Sequence, residues 1–107
     1  MKKIINDVSQ VEQEMIQGLV KAHPQHLRRV TDSDVLARAQ KKTGKVALIS
    51  GGGSGHEPAH AGYVGYGMLD AAVPGAVFTS PTPDQVYAGI KDIATDKGVL
   101  MVVKNYT

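Results

Sequence analysis

Cysteine and tryptophan are absent from this chain, and phenylalanine occurs once. Without cysteine there is no disulfide framework and no thiolate metal site, a composition that suits the cytoplasm. No apolar run approaches the ~20 residues that a membrane-spanning helix needs. The N-terminus, MKKIINDVSQ, has only two adjacent apolar residues after its lysines, too few for a signal-peptide core. Neither sign of charge predominates: 12 Lys and Arg against 10 Asp and Glu leave a formal charge of +2, with the signs interspersed. The aromatics Tyr63, Tyr66, Phe78, Tyr87 and Tyr106 are scattered rather than set among Lys and Arg. A nucleic-acid partner, which needs a basic stripe, is thereby disfavoured. At 107 residues the chain is one small domain or a piece of one.

What is abundant is glycine, and it is concentrated. In GKVALISGGGSGHEPAH, from Gly44 to His60, the apolar run Val46 to Ile49 reads as a buried strand. Gly51, Gly52, Gly53 and Gly55 follow around Ser54. Glycines give no packing and cost backbone entropy on ordering. Such a run makes sense as a loop whose free N–H groups point at a ligand, with His56 in the cradle. Pro58 then fits the first turn of a helix, and a short helix is expected from Pro58 to Tyr63.

On the N-terminal side, Asn6 or Asp7 can cap a helix from about Val8 to Ala22, with Val8, Val11, Met15 and Leu19 on its apolar face and Pro24 ending it. Residues 25–43 read equally as a helix from Ser33 or as a short strand, Val35 to Arg38. His23 and His26 receive no role. After the glycines, Met68 to Val73 is a candidate strand and Pro74-Gly75 a turn, with Ala76 to Phe78 continuing briefly. Thr82, Pro83, Asp84 and Gln85 spell a capping box. That helix buries Val86, Ile90 and Ile93 and closes at Lys97-Gly98. Val99 to Val103 is a third strand, followed by Lys104, Asn105, Tyr106 and Thr107. Strand, helix and strand in alternation predict an α/β fold with a largely parallel or mixed sheet flanked by helices. The chain stops four residues beyond Val103, where an α/β strand passes into its functional loop. The expectation is therefore the incomplete N-terminal part of a longer protein.

Ligands of such sheets sit beyond the carboxyl ends of the strands, and both the glycine stretch and Lys104 fall at that edge. Known motifs fit the stretch poorly. No Lys follows the glycines as a phosphate-cradling P-loop requires, and a dinucleotide fingerprint fails at His56. A nucleophile elbow through Ser54 meets His56 where its second glycine belongs, leaving an acyl-transfer enzyme as a distant alternative. His56-Glu57-Pro58-Ala59-His60 spells H-E-x-x-H, but a zinc site needs both histidines on one helix. Pro58 belongs in a first turn and leaves His56 off it. His56 is better placed to exchange a proton with a substrate hydroxyl. Glu57 either orients it or favours the helix N-terminus. Lys104 is either a solvated strand-end charge or a donor to a ligand oxygen.

The stretch GKVALISGGGSGHEPAHAGYVGYGMLDAAVPGAVFTSPTPDQV, with GVLMVVKNYT after it and MKKIINDV before it, resembles the N-terminal part of the substrate-binding subunit of the dihydroxyacetone kinases. The resemblance spans nearly the whole chain, is weakest over 25–43, and favours the strand near Val35 to Arg38. It implies that residues 1–107 are the N-terminal part of a dihydroxyacetone-binding kinase domain. The implied activity, in glycerol metabolism, is phosphoryl transfer to a hydroxyl of dihydroxyacetone. By the same resemblance Gly53, Ser54, Gly55 and His56 form the substrate cradle, with His56 the general base and Lys104 a substrate contact. A downstream histidine that bonds the ketone carbon, and an aspartate after the KNYT-like motif, complete the family's site beyond this sequence, so residues 1–107 alone are expected to be inactive. No cofactor is expected on this chain and no metal. ADP and Mg are expected on a partner subunit, recharged from phosphoenolpyruvate through a phosphotransferase subunit, with a cytoplasmic homodimer as the full-length form. The alternatives are an ATP-dependent single-chain triose kinase and a non-enzymatic triose-binding paralogue acting as a regulatory co-activator.

Overall fold

The computed structural model describes residues 2–104. Five strands form one mixed sheet in the order β1-β2-β4-β3-β5: β1 Leu27–Arg29, β2 Leu36–Arg38, β3 Ala47–Ser54, β4 Ala71–Val77 and β5 Val99–Val103. β3 lies parallel to both β4 and β5, while β2 runs antiparallel to β1 and β4. Two helices, α1 Val11–Ala22 and α2 Pro83–Ile93, flank the sheet.

Alternation along the strands divides the core between the two faces. Val35, Ala37, Ala47, Ile49, Ala71 and Val73 pack with Ile93, Ile90 and Val86 of α2. Leu36 and Ala72 point the other way and meet Ile16, Met15 and Leu19 of α1. α2 lies close on its face because residue 89 is glycine: a Cβ there would stand 2.8 Å from Ile49 Cδ1. Buried Asp70 ties three strands together. Its carboxylate accepts the Leu48 N–H at 2.7 Å and pairs with Arg38 at 3.3 Å, and its carbonyl accepts the Arg38 N–H.

Several expectations change. Asp7 caps as expected, accepting the Ser9 N–H, but it starts a single 3₁₀ turn, Val8–Gln10, ahead of α1. Val8 is exposed, and the buried centre of α1 is Ile16. The 25–43 region is two strands, not a helix; β1 was not anticipated, because three residues carry no readable period. The strand expected from Met68 begins at Ala71, and Pro74-Gly75 is strand interior rather than a turn. β2 pairs with β4 only at Ala71 and Ala72, so Pro74 lies where that edge is unpaired and a missing N–H costs little. Thr82 is the α2 N-cap without a side-chain bond. The expected capping box does not form, because Gln85 Oε1 accepts the Asp34 N–H instead. α2 ends at Ile93, short of Lys97-Gly98: Ala94 turns extended, and the Thr95 hydroxyl, donated to the Lys45 carbonyl, organises the following turn.

Candidate functional site

The largest revision concerns the glycines. β3 does not stop at Ile49 but runs on through Gly51, Gly52 and Gly53 to Ser54, laddered to β4 as far as Val77 and to β5 as far as Val103. These residues are strand, not an open loop. Glycine is required here by close approach: a Cβ on Gly53 would lie 2.5 Å from Thr79 N and 2.8 Å from the Phe78 carbonyl carbon. The turn after β4 thus lies directly on the end of β3. It is held there by the Phe78 N–H donating to the Ser54 carbonyl at 2.7 Å.

Gly55 and His56 follow in a turn. The Gly55 N–H is not free: it donates to Glu57 Oε2 at 2.8 Å, so Glu57 braces the turn rather than orienting His56 or starting a helix. No α-helix begins at Pro58. Turns lead to one 3₁₀ turn, Ala61–Tyr63, with Gly62 close against Pro58 and the Gly62 N–H donating to the Pro58 carbonyl at 2.7 Å in a single α-type turn that is not continued. His56 is exposed, with its ring edge-on to Phe78 at 5.0 Å between centroids. Phe78 adopts φ 52°, an unusual conformation for a bulky residue, and this aims its ring at Gly55 and His56. Ser54 is buried with its hydroxyl donated to the Gly75 carbonyl at 2.7 Å, an occupied group rather than a nucleophile.

Lys104 lies half-buried just past β5, lining a cleft of about 220 Å³ between the ends of β3 and β5 and the start of α2. Gly51, Gly52, Ser80 and Pro81 also line it. Asn105, Tyr106 and Thr107 of the KNYT stretch lie outside the described residues. Gly52 is the meeting point of two side chains. A Cβ on it would stand 3.1 Å from His60 Nε2 and 3.2 Å from Lys104 Nζ. His60 Nδ1 is 2.6 Å from Ser50 Oγ, which donates to the Val102 carbonyl at 3.0 Å. Burial pushes the His60 imidazole below its ordinary 6.5, and the neighbouring charges of Lys104 and His56 add to this. His60 is therefore neutral at pH 7.

The predicted residues thus share the carboxyl edge of the parallel strands: Gly53 and Ser54 at the end of β3, Gly55 and His56 in the turn beyond it, and Lys104 past β5. The edge offers an accessible imidazole, an ammonium and a cleft able to hold a small polar molecule. Sequence reasoning missed Phe78, and saw His60 only as half of a metal motif. Among the described residues no group of three or more His, Asp and Glu side chains is placed to hold a metal ion.

Comparison with known proteins supplies the family. Residues 17–107 match the Dak1 domain. The chain belongs to the Dak1 family. It is similar, at 63% identity over its whole length, to the dihydroxyacetone-binding subunit DhaK of a PTS-dependent dihydroxyacetone kinase from Listeria innocua, of which it covers 32%. Its fold matches the crystal structure of the dihydroxyacetone kinase from C. freundii in complex with AMP-PNP and Mg2+, with a TM-score of 0.90 and 40% identity. That match covers 98% of this chain and 20% of the other. It also matches a dihydroxyacetone kinase operon co-activator, Dha-DhaQ, with a TM-score of 0.81 and 42% identity over 87% of this chain and 28% of that one. The chain therefore spans about a third of the length of its curated relative, and its mixed five-stranded sheet with two helices is a part of the fold of these longer chains.

Proposed function

We propose that the full-length protein binds dihydroxyacetone and takes part in phosphoryl transfer to one of its hydroxyls, giving dihydroxyacetone phosphate. The observation that carries this is that His56 and Lys104 both lie just past the carboxyl ends of the paired strands β3 and β5 in a Dak1 chain. Gly53, Ser54 and Gly55 set the position of His56. A small uncharged ketone offers only oxygens, so directed donors and acceptors must hold it. Lys104 donates to a ligand oxygen. His56 accepts the hydroxyl proton as that oxygen bonds to phosphorus and the donor's P–O bond breaks, a role worth typically ~10²–10⁴ in rate. The 63% identity to a PTS-dependent subunit supports phosphoenolpyruvate as ultimate donor, through an ADP-carrying subunit and a phosphotransferase subunit.

A second reading draws on the likeness to the operon co-activator: a triose-binding regulator without turnover. Triose binding and turnover measured together on the full-length protein separate the two. His56→Asn keeps a polar group but loses the base. It should lower kcat/KM by about 10²–10⁴ while binding persists. Lys104→Met should chiefly weaken binding. Near wild-type turnover by His56→Asn would make the turn a passive binding element, and binding without any wild-type turnover would favour the regulator.

A further inference from the structure

His60 has a feature that packing alone leaves unexplained. Its Nε2 is enclosed by protein and has no hydrogen-bond partner among the described residues. A buried acceptor left unpaired is costly, so such a group calls for a donor. The tautomer follows from the other end of the ring. Ser50 Oγ has one proton and two polar neighbours, His60 Nδ1 at 2.6 Å and the Val102 carbonyl at 3.0 Å. The carbonyl can only accept, so the hydroxyl proton goes to it. Nδ1 must then carry the ring proton and donate it to Ser50 Oγ. Nε2 is left as a bare lone pair. A nearby donor among the described residues is Lys104, whose Nζ and Cδ lie, like Nε2, within 3.2 Å of the place a Cβ on Gly52 would occupy. An ammonium has three N–H donors and no acceptor, the complement of what Nε2 lacks.

We propose that His60 is a positioning residue: its Nε2 accepts an N–H from the Lys104 ammonium and fixes the amine over Gly52, leaving its other two N–H groups for the ligand oxygen. Ser50 locks the ring, and Gly52 is bare so that both side chains can reach the same place. The inference rests on the reading of Lys104 as a triose contact. It differs from the zinc reading of the same histidine, because it needs Nδ1 protonated and no metal.

Two measurements on the full-length protein test it. The first, in the free protein, is a long-range ¹H–¹⁵N spectrum of the His60 ring at neutral pH. The expected result is the Nδ1–H tautomer, with an Nε2 resonance that moves in Lys104→Met. An Nε2–H tautomer, a protonated ring, or an Nε2 indifferent to Lys104→Met would overturn the proposal. The second is a double-mutant cycle on dihydroxyacetone binding and turnover. His60→Leu should raise KM by about tenfold to a hundredfold, the worth of one hydrogen bond to a charged group, with a smaller change in kcat. His60→Gln, which keeps an amide near the Nε2 position, should recover part of that loss. In the Lys104→Met background His60→Leu should add almost nothing. An equal loss with and without Lys104 would mean that His60 only supports the fold. If the wild type took up no triose, the functional reading would fail, and the spectrum would still decide the role of His60.

Discussion

Asp70 shows how much of this fold depends on single residues. It is buried, and its carboxylate takes the Leu48 N–H and the Arg38 guanidinium at once, while Arg38 also lies 5.9 Å over the Tyr66 ring. Removing one partner of a buried pair leaves a charge and an N–H without compensation. Asp70→Ala should therefore destabilise the full-length protein by about 3–5 kcal/mol, read as a lower denaturant midpoint at an unchanged slope. A loss below about 1 kcal/mol, the range of an exposed pair, would mean that water reaches the site. At the same scale, His56 and Lys104 were legible in the sequence because strand ends of parallel sheets attract ligands. His60, Phe78 and the Glu57 brace were not. Each acts through a neighbour distant in sequence or through the backbone: His60 through Ser50, Phe78 through Gly55 and His56, Glu57 through the Gly55 N–H.

Element by element, α2 and β5 were readable because Pro83 marks a helix start and Val99 to Val103 is a continuous β-branched and apolar run. β3 was misread beyond Ser50. Glycine's low strand propensity argues for a loop when the chain is read alone, and only the close neighbours explain why these positions are bare: Val73 at Gly51, His60 and Lys104 at Gly52, Thr79 and Phe78 at Gly53. The same blindness applied to Pro74-Gly75, whose turn chemistry is overruled by pairing with Gly52 and Gly53. β5 carries its own consequence. Leu100, Met101, Val102 and Val103 are all exposed, and among the described residues β5 is the last strand of the sheet, paired with β3 alone. An uncovered apolar edge strand templates association. Residues 1–107 prepared alone should self-associate in light scattering, and Leu100→Lys should reduce it. A monomer with a sharp, cooperative thermal transition would show that β5 needs no cover.

At the scale of the whole molecule, the sheet brings together elements far apart in sequence so that the glycines of β3, the end of β5 and the start of α2 line one cleft, with the β3 turn at the same edge of the sheet. The family match extends to chains about three times as long, so the chemistry proposed here belongs to the full-length protein. The order of events in the proposed function also belongs to that scale: capture of the triose at the sheet edge, then attack by its hydroxyl on a phosphoryl group that another subunit or domain would bring. The most direct test is formation of dihydroxyacetone phosphate by the purified full-length protein. It should be supplied in parallel with ATP alone and with phosphoenolpyruvate plus the ADP-carrying and phosphotransferase subunits of a PTS-dependent dihydroxyacetone kinase. Product is expected with phosphoenolpyruvate and the subunits, little or none with ATP alone, and a fall of about 10²–10⁴ in kcat/KM for His56→Asn. Absence of product with either donor, from a protein that still binds the triose, would contradict the proposed function.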